Sequence, residues 1–298
     1  MVNATFRFYA ELNDFLPRRY RDRYRRRELD ASCARDASVK HMIEALGVPH
    51  TEVELLLVNG ESSGFERPLA EGDRVAAYPA FSLLDVQGLQ RLRSWPAGRP
   101  RFVADAHLGG LARLLRMAGY DSLYDNGYHD DEIGRIAREQ GRVLLSRDRE
   151  LLKRRSVEFG CYLHAIDPPG QLRELFARLR LAAGMRPFSL CLHCNLPLHP
   201  VARDAVLARL PPRVAASRQQ FTACAGCHRV YWEGSHHERM RRMLAAVASG
   251  GEQGTDQGTD QGTDKGTHKG TDKGTDKGRG ARAADVELPA APHSTSEP

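Results

Sequence analysis

Short apolar runs and amphipathic stretches take turns between residues 101 and 181. RFVAD (101–105), YDSLYDN (120–126), RVLLSRD (142–148) and CYLHAID (161–167) each read as a strand that runs into an acid or its turn. LGGLARLLRMAG (108–119), DDEIGRIAREQG (130–141), RELLKRR (149–155) and PPGQLRELFARLRL (168–181) follow them with helical spacing. In the first of these, Leu108, Leu111, Leu115 and Met117 fall on or near one face and Gly119 is the stop. Acids fill the first turn of the second, as the helix dipole favours, and prolines open the last. Four strand-helix alternations in about 80 residues predict a parallel α/β sheet with right-handed crossovers.

The chain's beginning has a different rhythm. ATFRFYAEL (4–12) alternates and is rich in aromatics, a strand signature. SVKHMIEALG (38–47) sets Val39, Met42, Ile43 and Leu46 on a helical face closed by Gly47. VELLLVNG (53–60) is a strand into an Asn-Gly turn, and PLAEGDRVAAYPAF (68–81) is a turn into a last strand. Strand, helix, strand, strand over residues 1–82 predicts a small separate α+β sheet. Residues 83–100, with Gly88, Pro96, Gly98 and Pro100, read as a linker. The domains that follow are 101–184, 185–248 and a tail, 249–298. From Gly254 the tail repeats GTDQ and GTDK with nothing to bury, which predicts disorder.

Charge adds a partner class. The net charge is +6, but the tail from Gly250 holds nine acids and six Lys or Arg, leaving about +9 on the body. That excess suits a polyanion such as RNA or DNA, although free use of Arg alone would also produce it. Seven Arg fall within RRYRDRYRRR (18–27), read either as a phosphate-contacting patch with Tyr20 and Tyr24 for stacking or as a solvated face. No window is apolar enough for a membrane span, and MVNATFRFYAELND has no signal-peptide core, so the expected compartment is the cytoplasm.

In a parallel sheet, ligands bind beyond the carboxyl ends of the strands. Asp105, Asp148 and Asp167 are expected there, with Asp125 and Asp130 just past the second strand. Gathered carboxylates repel one another unless a cation lies between them, and Mg²⁺ or Mn²⁺ suits hard oxygen ligands. Such ions can activate water and stabilise a phosphodiester displacement. Each acid also has a plainer reading. Asp130 is a natural helix N-cap, Asp131 and Glu132 suit the helix dipole, and Asp167 precedes two prolines in a turn. Asp105 and Asp148 are harder to explain that way together, because they end strands expected to be neighbours. Arg113, Arg116 and Arg147 lie near these motifs and are candidates for substrate phosphate; Arg147 could equally pair with the acids. His107 reads as a packing or surface residue.

Two resemblances follow from the wording of these segments. Val58-Asn59-Gly60, Leu69, Gly72-Asp73, Val75 and Tyr78-Pro79 resemble the β-grasp, ubiquitin-like sulfur carriers of the ThiS/MoaD type. True carriers end in a free Gly-Gly, whereas this chain runs on through AFSLLDVQGLQ, so the resemblance implies a binding module and a protein partner rather than sulfur transfer. FVADAHLGGLARLLRMAGYD (102–121) with RVLLSRD (142–148) is similar to the Mut-seven C-terminal RNase family, whose fold is similar to PIN-domain nucleases. The likeness extends over about 101–240. It implies acids holding catalytic Mg²⁺ or Mn²⁺: Asp105 at the first strand, Asp148 in a Thr-Arg-Asp motif where Ser146 replaces Thr, and Asp130 or Asp131 opening the middle helix, with Asp167 a fourth candidate.

Six cysteines complete the chemistry. Cys191/Cys194 and Cys224/Cys227 form two Cys-x-x-Cys knuckles with 29 residues between Cys194 and Cys224. Four thiolates close a tetrahedral structural Zn²⁺ site in a small ribbon, leaving His193 and His228 out of the ligand set. Tyr231, Trp232 and His236 could stack on bases or form the ribbon's core. The expected fold is thus α/β: a β-grasp domain, a PIN-like parallel domain, a zinc ribbon and a tail. The expected activity is a metal-dependent ribonuclease, with a non-catalytic RNA-binding adaptor as the alternative.

Overall fold

The computed structural model describes residues 1–17, 28–79, 92 and 98–250. The arginine run at 18–27, most of the linker and the tail from 251 lie outside the described residues. The described residues belong to one compact unit.

The first domain is a mixed five-stranded β-grasp sheet. Its elements are β1 (Val2–Phe8), β2 (Leu29–Cys33), α1 (Val39–Ala45), β3 (Leu55–Val58), β4 (Glu61–Ser62) and β5 (Arg74–Tyr78). The strand order is β2-β1-β5-β3-β4, with β1 and β5 parallel at the centre. Alternate residues of β1 (Val2, Ala4, Phe6, Phe8) are buried and pack with Val39, Met42 and Ile43 of α1. Ser38 caps that helix by accepting the amide of His41. The expected helix and three strands are present, and β2 and β4 are additions. LDASC, the sequence of β2, buries Leu29 and Cys33 at its two ends and lies at the sheet edge, so it carries little strand signal. Asn59 and Gly60, both at positive φ, turn β3 into β4.

The second domain is a four-stranded, all-parallel sheet ordered β7-β6-β8-β9. Its strands are β6 (Phe102–Ala104), β7 (Ser122–Leu123), β8 (Val143–Ser146) and β9 (Gly160–Tyr162). The intervening helices are α2 (Gly109–Met117), α3 (Asp130–Gln140), α4 (Arg149–Leu152) and α5 (Pro168–Leu179). Apolar clusters cover both faces: Phe102, Leu111, Leu115, Leu145 and Leu172 on one, and Val103, Ile133, Leu144 and Leu151 on the other. That is why β6 and β8 read as continuous apolar runs.

All four strands are shorter than expected, the first by one residue at each end. The third stops at Ser146, because the Asp148 side chain takes amides of the next helix instead of continuing the ladder. The fourth stops at Tyr162, five residues before Asp167. There the Glu174 carboxylate accepts the amides of His164 and Ala165 and draws the chain off the sheet. The second is reduced to two residues.

The remainder forms a three-stranded antiparallel ribbon of β10 (Leu198–Val201), β11 (Phe221–Cys224) and β12 (Val230–Trp232), with α6 (Arg203–Val206) and α7 (Pro212–Ser217) between the first two strands. A last helix, α8 (Ser235–Gly250), returns to the parallel domain, where Leu244 and Val247 join the core of α2 and α5. Among the described residues, no helix is long and apolar enough to cross a membrane.

Both edges of the parallel sheet are closed by side chains from the flanking modules. At β9, Glu52 of the β-grasp domain accepts the Tyr162 amide at 2.6 Å, and its other oxygen accepts from Arg178 at 2.6 Å. Arg178 also donates to the Tyr162 carbonyl. Burial opposes the charge on Arg178, and the electrostatics of Cys161 and Glu52 outweigh it, raising its pKa. Arg149 of α4 donates to the Phe15 carbonyl and lies over the rings of Phe15 and Tyr162. At β7, the Asn195 side chain accepts the Ser122 amide at 3.0 Å and donates to Asp121.

Candidate active site and metal centre

Strands β6 and β8 are adjacent and parallel, so their carboxyl ends deliver Asp105 and Ser146 side by side. Asp105, half-buried, follows β6 and caps a short 3-10 turn by accepting the Ala106 amide at 2.6 Å. Its other carboxylate oxygen accepts the Ser146 hydroxyl at 2.7 Å. Ser146 is fully buried, and its Oγ in turn accepts the Asp148 amide at 2.9 Å. Asp148 is exposed and caps α4, with Oδ1 accepting from the amides of Glu150 and Leu151. One hydroxyl therefore links the Asp105 side chain to the Asp148 backbone.

The other expected acids do not join this pair. Asp130 and Asp131 open α3 and are both exposed; Arg154 reaches the two of them, Asp130 at 3.0 Å. Asp167 caps α5 by accepting the Gly170 amide, with prolines in the first turn, as its plainer reading anticipated. Among the described residues, the four cysteines are the one group of three or more His, Cys, Asp or Glu side chains placed to share a metal ion, and no carboxylate belongs to it.

Beside Asp105 lies an open cleft of about 700 Å³. One wall is the start of α2, with His107, Gly109, Gly110 and Arg113; a second is the loop after β7, with Tyr124, Asp125 and Asn126; the third is Leu192 and His193 of the first cysteine knuckle. Gly109 leaves room for the Tyr124 ring, which a Cβ at 2.5 Å would push aside. Arg113 and Arg147 are exposed and make no ion pair among the described residues. Arg116 is placed differently. It is buried, and donates to the carbonyls of Ser122 (2.9 Å), Leu192 (3.2 Å) and His193 (2.7 Å), so it ties the knuckle to the sheet. Burial lowers the Arg116 pKa, partly offset by Cys191 and Cys194. No sequence signal marked the cleft, because it joins three segments far apart in the chain.

The four cysteines of the two knuckles meet, with every Sγ within 4.8 Å of the others. Cys194 lies 3.4 Å from Cys191 and 3.2 Å from Cys224, and Cys191 lies 3.5 Å from Cys227. Thiolates held at 2.3 Å from one Zn²⁺ would stand roughly 3.8 Å apart, close to this spread. Burial pushes the Cys191 thiol up, but hydrogen bonds from Tyr231 and from the amides of Cys194 and His193 overcome it and hold the thiol at about 6. The donor set fits a closed four-thiolate metal site. Trp232 packs against the ribbon's small core of Val206, Leu210 and Phe221.

Comparison with known families gives the segments their names. Residues 1–85 match the model of the Mut7-C ubiquitin domain. Residues 100–244 match that of the Mut7-C RNAse domain. The chain pairs a Mut7-C ubiquitin domain with a Mut7-C RNAse domain. Two crystal structures of small archaeal modifier protein 1 from Haloferax volcanii are also similar. One is 20% identical, with a TM-score of 0.22, over 27% of this chain and 100% of the other. The second is 21% identical, with a TM-score of 0.21, over 27% of this chain and 97% of the other. No curated protein matches the chain. The Mut7-C RNAse segment contains the acid rim, the cleft and all four clustered cysteines, and its family suggests a nuclease-like function.

Proposed function

We propose that the chain is a metal-dependent ribonuclease that hydrolyses RNA phosphodiester bonds at the Asp105–Ser146–Asp148 rim. The observation that carries this reading is the hydroxyl-linked pair of acids at adjacent parallel strand ends, within a segment matching an RNAse domain. Mg²⁺ or Mn²⁺ would be held by Asp105 and Asp148. Two carboxylates suffice where water and substrate phosphate complete the shell. Such an ion supplies charge neutralisation at the phosphate and a more acidic bound water.

The chain's own groups do the positioning. Ser146 fixes the Asp105 carboxylate, while Arg113 and Arg147 offer exposed guanidinium groups to the RNA backbone. Asp130 or Asp131 serves as the third acid when Arg154 transfers to substrate phosphate, and Asp167 is the outermost candidate. The four thiolates hold a structural Zn²⁺, a use of cysteine that fits a reducing, cytoplasmic setting. The ubiquitin-like domain is the part suited to a protein partner.

The test is cleavage of a mixed pool of labelled RNAs with Mn²⁺, Mg²⁺ or EDTA. Wild type should cut only with metal. Asp105→Asn and Asp148→Asn should each lose about 10²-fold or more in rate, the scale of removing a charge-stabilising group. No metal-stimulated cleavage, with RNA still retained, would replace the enzyme with an RNA-binding adaptor.

A further inference from the structure

The first knuckle holds a side chain that neither the metal nor the ribbon uses. His193 stands between the ligands Cys191 and Cys194, is exposed, and makes no side-chain hydrogen bond among the described residues. Its backbone is fixed nonetheless. Arg116 holds the carbonyls of Leu192 and His193, and Asn195 locks onto Ser122 and Asp121 two residues later. His193 thus lines a fixed wall of the 700 Å³ cleft, which Arg113 and His107 line from the α2 side. The cleft's lining includes four basic or imidazole side chains, Arg113, Arg116, His107 and His193, against the single acid Asp125. Arg113 and Arg116 against Asp125 alone leave the lining one positive charge in excess, which favours a polyanion.

We propose that His193 is an RNA-contacting residue and that the cleft between the α2 start and the cysteine knuckle seats single-stranded RNA. The proposal rests on the ribonuclease reading for the identity of the polymer and extends it to the class of strand and to the residue that grips it. In either protonation state the imidazole keeps an N–H for a phosphate oxygen, with Arg113 on the opposite side of the strand. A cleft of this volume takes a ligand of small-molecule size, about one or two nucleotides. An A-form duplex keeps its bases stacked inside the helix and would have to lie across the mouth, whereas an unpaired strand can enter and set a base near Tyr124 and Asn126.

The experiment measures binding, so that it does not depend on turnover. Fluorescence anisotropy follows a labelled single-stranded RNA in EDTA on full-length Asp148→Asn protein, whose cleavage should be slowed about 10²-fold or more even with metal, alone and with His193→Ala or Arg113→Ala added. A zinc-release assay on each variant checks that the four-thiolate site is intact. His193→Ala should keep its zinc and weaken binding by about tenfold or more, the loss of one hydrogen bond to a charged partner. A duplex of the same sequence should compete poorly. Unchanged affinity in His193→Ala, beside a loss in Arg113→Ala, overturns the role of the knuckle and leaves the ribonuclease reading standing. Equal competition by duplex overturns the single-strand assignment. No RNA binding by the Asp148→Asn parent, together with no cleavage by wild type, removes the underlying reading itself.

Discussion

Ser146 shows how little chemistry is needed to set two acids in place. Its buried hydroxyl donates to Asp105 and accepts from the Asp148 amide. Ser146→Ala leaves a half-buried carboxylate and a backbone amide short of partners, which should cost about 1–3 kcal/mol in urea unfolding. Turnover should fall as well, with Ser146→Thr restoring more of it than Ala. Gly119 is a second sensitive residue. At φ +86° it ends α2, and an added Cβ would stand 2.0 Å from the Arg186 carbonyl oxygen. Gly119→Ala should therefore lower the melting temperature by the equivalent of about 1–3 kcal/mol. Asp121 gives a pH signature. Burial raises its pKa, but hydrogen bonds from Arg142 and Asn195 outweigh that and hold the carboxyl below its ordinary value. A depressed carboxylate stabilises the fold above the unfolded value, near 3.9, and loses that contribution as pH falls through the folded one. The wild-type melting temperature should drop on acidification below about pH 4, and Asp121→Asn should drop less over the same window.

The elements differ in how plainly the sequence announces them. β6 and β8 were legible because both faces are buried, and α2, α3 and α5 because each keeps one apolar stripe. The adjacency of β6 and β8, whose ends lead to Asp105 and Asp148, was expected from that alternation. β2 was not legible, since an edge strand spelled LDASC has few residues to bury, and the true end of β9 depends on a carboxylate twelve residues downstream at Glu174. The cleft was equally hidden, because contacts such as Arg116 to the His193 carbonyl join residues 77 apart. The seam at β9 offers a test at this scale. The Glu52 side chain is fully buried and satisfies both the Tyr162 amide and Arg178. Glu52→Ala strands both donors and should cost about 3–5 kcal/mol by equilibrium unfolding. Replacing Glu52 and Arg178 together should cost less than the two single losses added.

Across the whole molecule, the four-cysteine cluster and the sheet share their supports. Stripping metal with a chelator should raise hydrogen exchange across 191–232 and also at Ser122, whose amide Asn195 holds. The β-grasp strands, tied to the opposite edge, should keep their protection. Each edge strand of the parallel sheet thus has an amide capped by a side chain from another module, Tyr162 by Glu52 and Ser122 by Asn195. The four-stranded unit is therefore not portable. Cut out as 101–184, it would expose two open ladders of unpaired N–H and C=O groups, the template on which chains add to one another. Such a fragment should self-associate in light scattering where the intact chain does not, so the flanking modules act as the sheet's protection against aggregation.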